Sequence, residues 1–152
     1  MNKGRVEKTK KELKKIFDEC KSGDCKKCFS FVNKFDIVFD GESIVQHQRA
    51  GYCGHEKICD CIILCKNGKI LIVEYPEGKL TLREKDDKLK QLECCERIVK
   101  ILLTGCLVYK ILIYQKLDIP SAKRHLINKW KGGLMLIQER NIKKDLCVKI
   151  DS

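Results

Sequence analysis

Val6, Leu13, Ile16, Phe17 and Cys20 recur at helical spacing between lysines, which predicts an amphipathic helix over 4–20 with a cationic outer face. Residues 21–28, KSGDCKKC, read as a loop. A hairpin is expected over 29–49: the β-rich run FSFVNKFDIVF, a tight turn at Asp40-Gly41, and the return run ESIVQHQR. A glycine-containing loop, AGYCGHEK, fills 50–57. The clearest pattern follows. ICDCIILC and KILIVEY flank Lys66-Asn67-Gly68, and Asn-Gly between apolar β-branched runs is the strongest short hairpin signal. Both runs are almost continuously apolar, as in central strands covered on two faces. Pro76 ends the second run because it has no N–H to give to the ladder. Residues 84–103 predict a long helix with Leu89, Leu92, Cys95, Val99 and Leu102 on one side. CLVYKILIY (106–114) reads as a strand, 119–130 as a helix opening near Pro120-Ser121 with Ala122, Leu126 and Trp130 stacked, and GLMLIQE (133–139) as a closing strand. The order α-β-β-β-β-α-β-α-β describes an α/β sheet covered by helices.

With 152 residues, no linker and no internal repeat, the chain reads as one domain, 1–152. A hydrophobic content of 43% excludes wholesale disorder. Charge changes the picture more. The formal net charge is +11, and it is concentrated. Residues 1–15 carry seven Lys/Arg against two Glu; residues 97–131 carry eight against Asp118 alone. Such flanks suit a polyanion, nucleic acid ahead of an anionic membrane surface. No apolar segment follows the basic N-terminus as in a signal peptide, and no run reaches the ~18 apolar residues of a membrane span. A soluble, cytoplasmic protein is therefore expected. The 35% of charged residues, rich in Lys and Glu, is a lean shared with heat-adapted proteins.

Eleven cysteines leave three readings open. Cys25-Lys26-Lys27-Cys28 has zinc-knuckle spacing, and Cys20, or Cys53 with His55, would complete a structural Zn²⁺ site. Cys25–Cys28 as a disulfide is the second. Reduced cysteines acting as small buried hydrophobes are the third, and the one given to Cys59, Cys61 and Cys65. Cys94 and Cys95, adjacent on a helix, face different ways and do not bond each other.

Asp60 and Glu74 are the residues that need a reason. Each is an acid inside an apolar strand run, and a buried carboxylate is costly unless it is paired or metal-bound. Counting outward from a two-residue turn at 67–68, position 60 pairs near position 75, which sets Asp60 beside Glu74 within one residue of register. Two like charges there repel. A divalent Mg²⁺ or Mn²⁺ removes both problems, since each carboxylate offers a hard oxygen. Such a cation beside a cationic surface is what phosphodiester hydrolysis needs.

An acid in one strand, a short turn, an apolar strand ending in Glu, then a helix and a strand: CDCIILCKNGKILIVEY, preceded by GRVEKTKKELKKIF, resembles the PD-(D/E)xK nuclease superfamily. The lysine-rich first helix with an early Glu is similar to archaeal Holliday junction resolvases, small basic enzymes that cut four-way DNA junctions as dimers. The resemblance spans 4–115. It implies a restriction-endonuclease-like mixed central sheet flanked by helices, with an αβββαβ core. It also implies that Asp60 and Glu74 bind the metal, that the backbone carbonyl of Tyr75 is a further ligand, and that Glu7 assists. DNA is the implied partner, gripped by basic residues of 3–15 and 97–131, and a homodimer is the implied assembly. The family has Lys two residues after the Glu; here that position is Pro76. Lys79, Lys88 or Lys90 is expected to supply the missing amine, unless the site is inactive. The literal Glu77-Gly78-Lys79 lies past the strand end, and Gln91 is within reach of the same site.

Three functions follow: a metal-dependent DNA endonuclease, a catalytically inactive nucleic-acid-binding protein on the same scaffold, and a small zinc-stabilised interaction protein. His47, His55 and His125 are surface residues by default, Trp130 is a core anchor and Ser121 a helix cap. Neither phosphate-cradling glycine motif occurs in the chain.

Overall fold

A computed structural model describes residues 3–41, 59–121, 134–142 and 145–150. The lysine-studded N-terminus forms α1 (Lys3–Lys14), shorter than its apolar spacing suggests. Leu13 seats the end of α1 in the core, and Ile16 and Phe17 do the same from the turn that follows. A 3-10 helix (Asp24–Phe31) comes next, then β1 (Ile37–Asp40), β2 (Cys61–Leu64), β3 (Ile70–Glu74) and the short β4 (Lys79–Leu80). The long helix α2 (Leu82–Leu102) leads to β5 (Val108–Tyr114), the short β6 (Lys116–Leu117), β7 (Leu134–Gln138) and a last turn of helix, α3 (Leu146–Lys149). Thr81 caps α2 by accepting the Glu84 N–H at 3.1 Å, the serine/threonine–glutamate spacing that favours a helix start.

Among the described residues, five strands form one mixed sheet in the order β1-β2-β3-β5-β7. β1, β2 and β3 run antiparallel to one another, while β3, β5 and β7 are parallel. Period-2 alternation divides the side chains between two cores. Ile62, Leu64, Ile70, Ile72 and Leu112 pack with Leu13 and Phe17 and with Leu92, Ile98 and Val99 of α2. Ile63, Leu71, Val73, Ile111 and Ile137 face the other way, under Cys28 and Phe31 of the 3-10 helix and Leu146 of α3. The α/β expectation and the central position of the 58–75 hairpin are thus both met: every residue of β2 and β3 is buried.

The cysteine reading is corrected. Cys61 and Cys65 do not simply pack: Cys28–Cys61 and Cys65–Cys147 tie both ends of β2 to the elements that cover it, and Cys20–Cys25 closes the loop before the 3-10 helix. Cys25 and Cys28 bond other partners and not each other. With Cys20, Cys25 and Cys28 all in disulfides, the zinc set is not assembled among the described residues. Asp36, Cys65 and Cys147 do gather three potential ligand atoms, but those two sulfurs are bonded together. Cys94 is disulfide-bonded as well, and Cys95 is a free thiol.

The expected strand at 29–36 is also corrected. Cys25, Cys28 and Phe31 recur every three residues, the repeat of a 3-10 helix, and all three point into the core. The small parallel pair β4–β6 was not anticipated. Residues 42–58 and 122–133, with the hairpin's return run, most of the 119–130 helix, Cys53, His47, His55, His125 and Trp130, lie outside the described residues. No helix among the described residues is long and apolar enough to cross a membrane.

Candidate active site

The β2–β3 connection decides where the acids meet. Its loop has three residues, Lys66–Gly68, and not two: Cys65 N–H donates to the Lys69 carbonyl at 2.9 Å and Gly68 N–H to the Cys65 carbonyl at 2.8 Å. Gly68 takes φ 92°, which glycine adopts without strain. Asn67 Oδ1 accepts the Lys69 N–H at 3.0 Å. The ladder then pairs Cys61 with Val73 and Ile62 with Ile72. This register puts Ile62 and Leu64 on the face of Ile70, Ile72 and Glu74; the two-residue turn inferred from sequence would have put them on the opposite face.

Asp60 stands where the ladder ends. Its N–H still donates to the Val73 carbonyl at 3.0 Å, while its side-chain Oδ2 accepts the Tyr75 N–H at 2.6 Å. It therefore grips β3 on both sides of Glu74. Glu74 is 1% exposed, and its Oε2 has no hydrogen-bond partner among the described residues. Burial, and then the adjacent Asp60 charge, push its carboxyl up to about 9, against a smaller opposing pull from Lys88. Without a cation, the buried acid holds its proton at neutral pH.

Lys88 comes from the second turn of α2. Its Nζ lies 3.5 Å from Glu74 Oε2 and 3.5 Å from Gln91 Oε1. Of the three lysines that sequence offers in place of Pro76, this is the one brought to the acids. Lys79 is exposed on β4 and Lys90 is exposed on α2. Glu7 is exposed on α1, and no hydrogen bond or ion pair among the described residues ties it to Asp60 or Glu74.

A cleft of about 210 Å³ opens over this cluster, lined by Asp24, Lys27, Asp60, Tyr75, Pro76, Glu77 and Lys88. Lys27 and Glu77 form an ion pair across its mouth, and the Lys27 amine lies 5.4 Å from the centre of the Tyr75 ring. The Tyr75 hydroxyl accepts from Gln115 Nε2 at 3.2 Å. Behind the acids, the buried Cys59 and Cys95 sulfurs approach to 2.9 Å. Burial first, then Cys95, Glu74 and Asp60, push the Cys59 thiol well above its ordinary range. Cys59 therefore adds no charge behind the carboxylates. Sequence reasoning missed Asp24, Lys27 and Gln115. Nothing local marks them, because the chain folds them onto the cleft from elements distant in sequence.

With Glu74 ionised, the cleft and its base carry four carboxylates, Asp24, Asp60, Glu74 and Glu77, against two lysines among the described residues, with Asp60 and Glu74 the pair in contact. Oxygen donors, excess negative charge and a buried carboxylate oxygen without a hydrogen bond among the described residues fit a hard divalent cation and suit soft metals poorly. No protein-family model, curated protein or solved structure matches the chain.

Proposed function

We propose that the protein is a Mg²⁺- or Mn²⁺-dependent endonuclease acting on DNA, with a restriction-endonuclease-like αβββαβ core. The observation that carries the proposal is Glu74: a carboxyl buried to 1% exposure, with a second acid against it and an oxygen that has no hydrogen bond among the described residues and only a long ion pair to Lys88. A folded chain tolerates that arrangement when a cation resolves it. The succession α1, β1, β2, β3, α2, β5, in a mixed sheet, supports the core assignment.

Asp60 and Glu74, with the carbonyl of Tyr75, would hold the cation. When bound, it supplies Lewis-acid stabilisation of a phosphoryl oxygen and a more acidic water. The residues of the chain do the rest. Asp60 and the Tyr75 N–H fix the end of β3, so the two carboxylates keep their spacing. Lys88 stands in for the lysine displaced by Pro76; its ammonium favours hydroxide and phosphate oxygen beside Glu74. Exposed Lys8, Lys11, Lys14 and Lys15 at α1 extend a cationic surface for the DNA backbone. Branched DNA as substrate, assistance from Glu7 and a two-fold dimer remain implications of the family resemblance.

The test is cleavage of labelled duplex, nicked, flapped and four-way DNA with Mg²⁺, Mn²⁺ or chelator. Asp60→Asn should abolish metal-dependent cleavage and leave salt-sensitive DNA binding intact, and Lys88→Met should lower kcat. Cleavage that survives Asp60→Asn unchanged refutes the assignment. Binding without cleavage in either metal identifies the inactive scaffold, the reading Pro76 favours. Stoichiometric zinc without DNA affinity identifies an interaction protein.

A further inference from the structure

Lys27 lies in a segment that sequence reads only as a spacer between cysteines. We propose that it is a substrate-binding residue of the same cleft, the group that grips the DNA phosphate next to the one being cut, and that the Cys28–Cys61 disulfide holds it there. This inference rests on the nuclease reading and adds the substrate contact to it.

Among the described residues two lysines line the cleft. Glu74 and Gln91 hold Lys88 beside the acids, where it serves the phosphate being cut, and Lys27, on the 3-10 helix and paired with Glu77, is placed to meet a neighbouring phosphate. Its present partner, Glu77, is exposed and Lys27 itself half-exposed, and ion pairs of that kind are weak and yield to a competing anion. The Tyr75 ring supports the amine from below and keeps it over the cleft after Glu77 is displaced. Covalent structure sets the position. Lys27 precedes Cys28, Asp60 precedes Cys61, and Cys28 is bonded to Cys61, so the phosphate-binding amine and the metal-binding acid are each one residue from a single disulfide. Cys20–Cys25 pins the other end of the Lys27 segment. Glu77 then acts as a latch: it occupies Lys27 in the free protein and is released when phosphate arrives.

Lys27→Met, Lys27→Arg and Glu77→Gln separate these roles, measured as steady-state cleavage with Mn²⁺ and as equilibrium binding of a fluorescein-labelled duplex in chelator across a salt series. Lys27→Met should raise KM about tenfold with kcat within about twofold, the loss of one charged hydrogen bond made equally in ground and transition states. It should also flatten the slope of log K against log salt by about 0.9, the signature of one lost phosphate contact. Lys27→Arg should restore most of both, and Glu77→Gln should lower KM. In the Cys28→Ala/Cys61→Ala protein, adding Lys27→Met should change KM little. Unchanged KM and unchanged salt slope in Lys27→Met, with a wild type that cleaves, overturn the role of Lys27 and leave the nuclease reading standing. A wild type that binds DNA without cutting it defeats the nuclease reading, and the salt slope alone then decides Lys27. A wild type that does neither defeats both.

Discussion

Replacing Glu74 by glutamine should stabilise the metal-free protein, by an amount that depends on pH. The carboxyl is held up to about 9 in the folded chain against 4.5 when unperturbed. Between those values the folded state carries a proton that the unfolded state has lost, so stability falls as pH rises through that window. Below 4.5 both states are protonated and there is no penalty. At pH 5 the penalty is below about 1 kcal/mol; at pH 7 it reaches about 3 kcal/mol, taking 1.36 kcal/mol for each unit above the unfolded value. Glutamine has nearly the same shape and never ionises, so it carries no such penalty. Urea unfolding with disulfides intact and chelator present should therefore show Glu74→Gln ahead of wild type by about 3 kcal/mol at pH 7 and by less than about 1 kcal/mol at pH 5. Mn²⁺ should stabilise wild type and not the variant, because the cation binds the folded, deprotonated site. A difference between the two proteins that is the same at pH 5 and pH 7 would show that Glu74 is ionised or solvated in the fold, and the argument for a cation at this acid would fail.

Two further predictions concern the frame around the site. A Cβ on Gly41 would sit 2.5 Å from both the Cys59 carbonyl oxygen and the Cys59 sulfur. Gly41→Ala should therefore destabilise by about 1–3 kcal/mol in denaturant unfolding, since a backbone atom cannot swing aside; a shift below about 0.5 kcal/mol would mean the strand end is loose. Lys110 of β5 is 5% exposed and its Nζ is 3.3 Å from Glu96 Oε1 on α2. Glu96→Gln should cost about 3–5 kcal/mol by stranding that buried charge, whereas Lys110→Met should stay within about 1 kcal/mol of wild type. Glu96 keeps Lys100 as a partner in the second variant, and a loss below about 1 kcal/mol in Glu96→Gln would contradict the pairing.

Local patterns in the chain determined a good deal. Asn67-Gly68 between two apolar runs specified the central hairpin, and the acids embedded in those runs marked Asp60 and Glu74 as costly without a partner. Pro76 specified the end of β3, whereas the Thr81–Glu84 cap starts α2 two residues before the helix expected at 84. These signals are legible because backbone sterics, capping and turn chemistry act over a few residues. Tertiary structure decided the rest. The three-residue loop fixed a register that a two-residue count misses by one, and one residue exchanges the faces of a strand. The choice of Lys88 over Lys79 and Lys90 came from how α2 docks on the sheet. The pairing of Cys28 with Cys61 and Cys65 with Cys147 depended on which layers cover β2. Contacts across 33 and 82 residues are set by packing, and packing leaves no short-range mark on the chain.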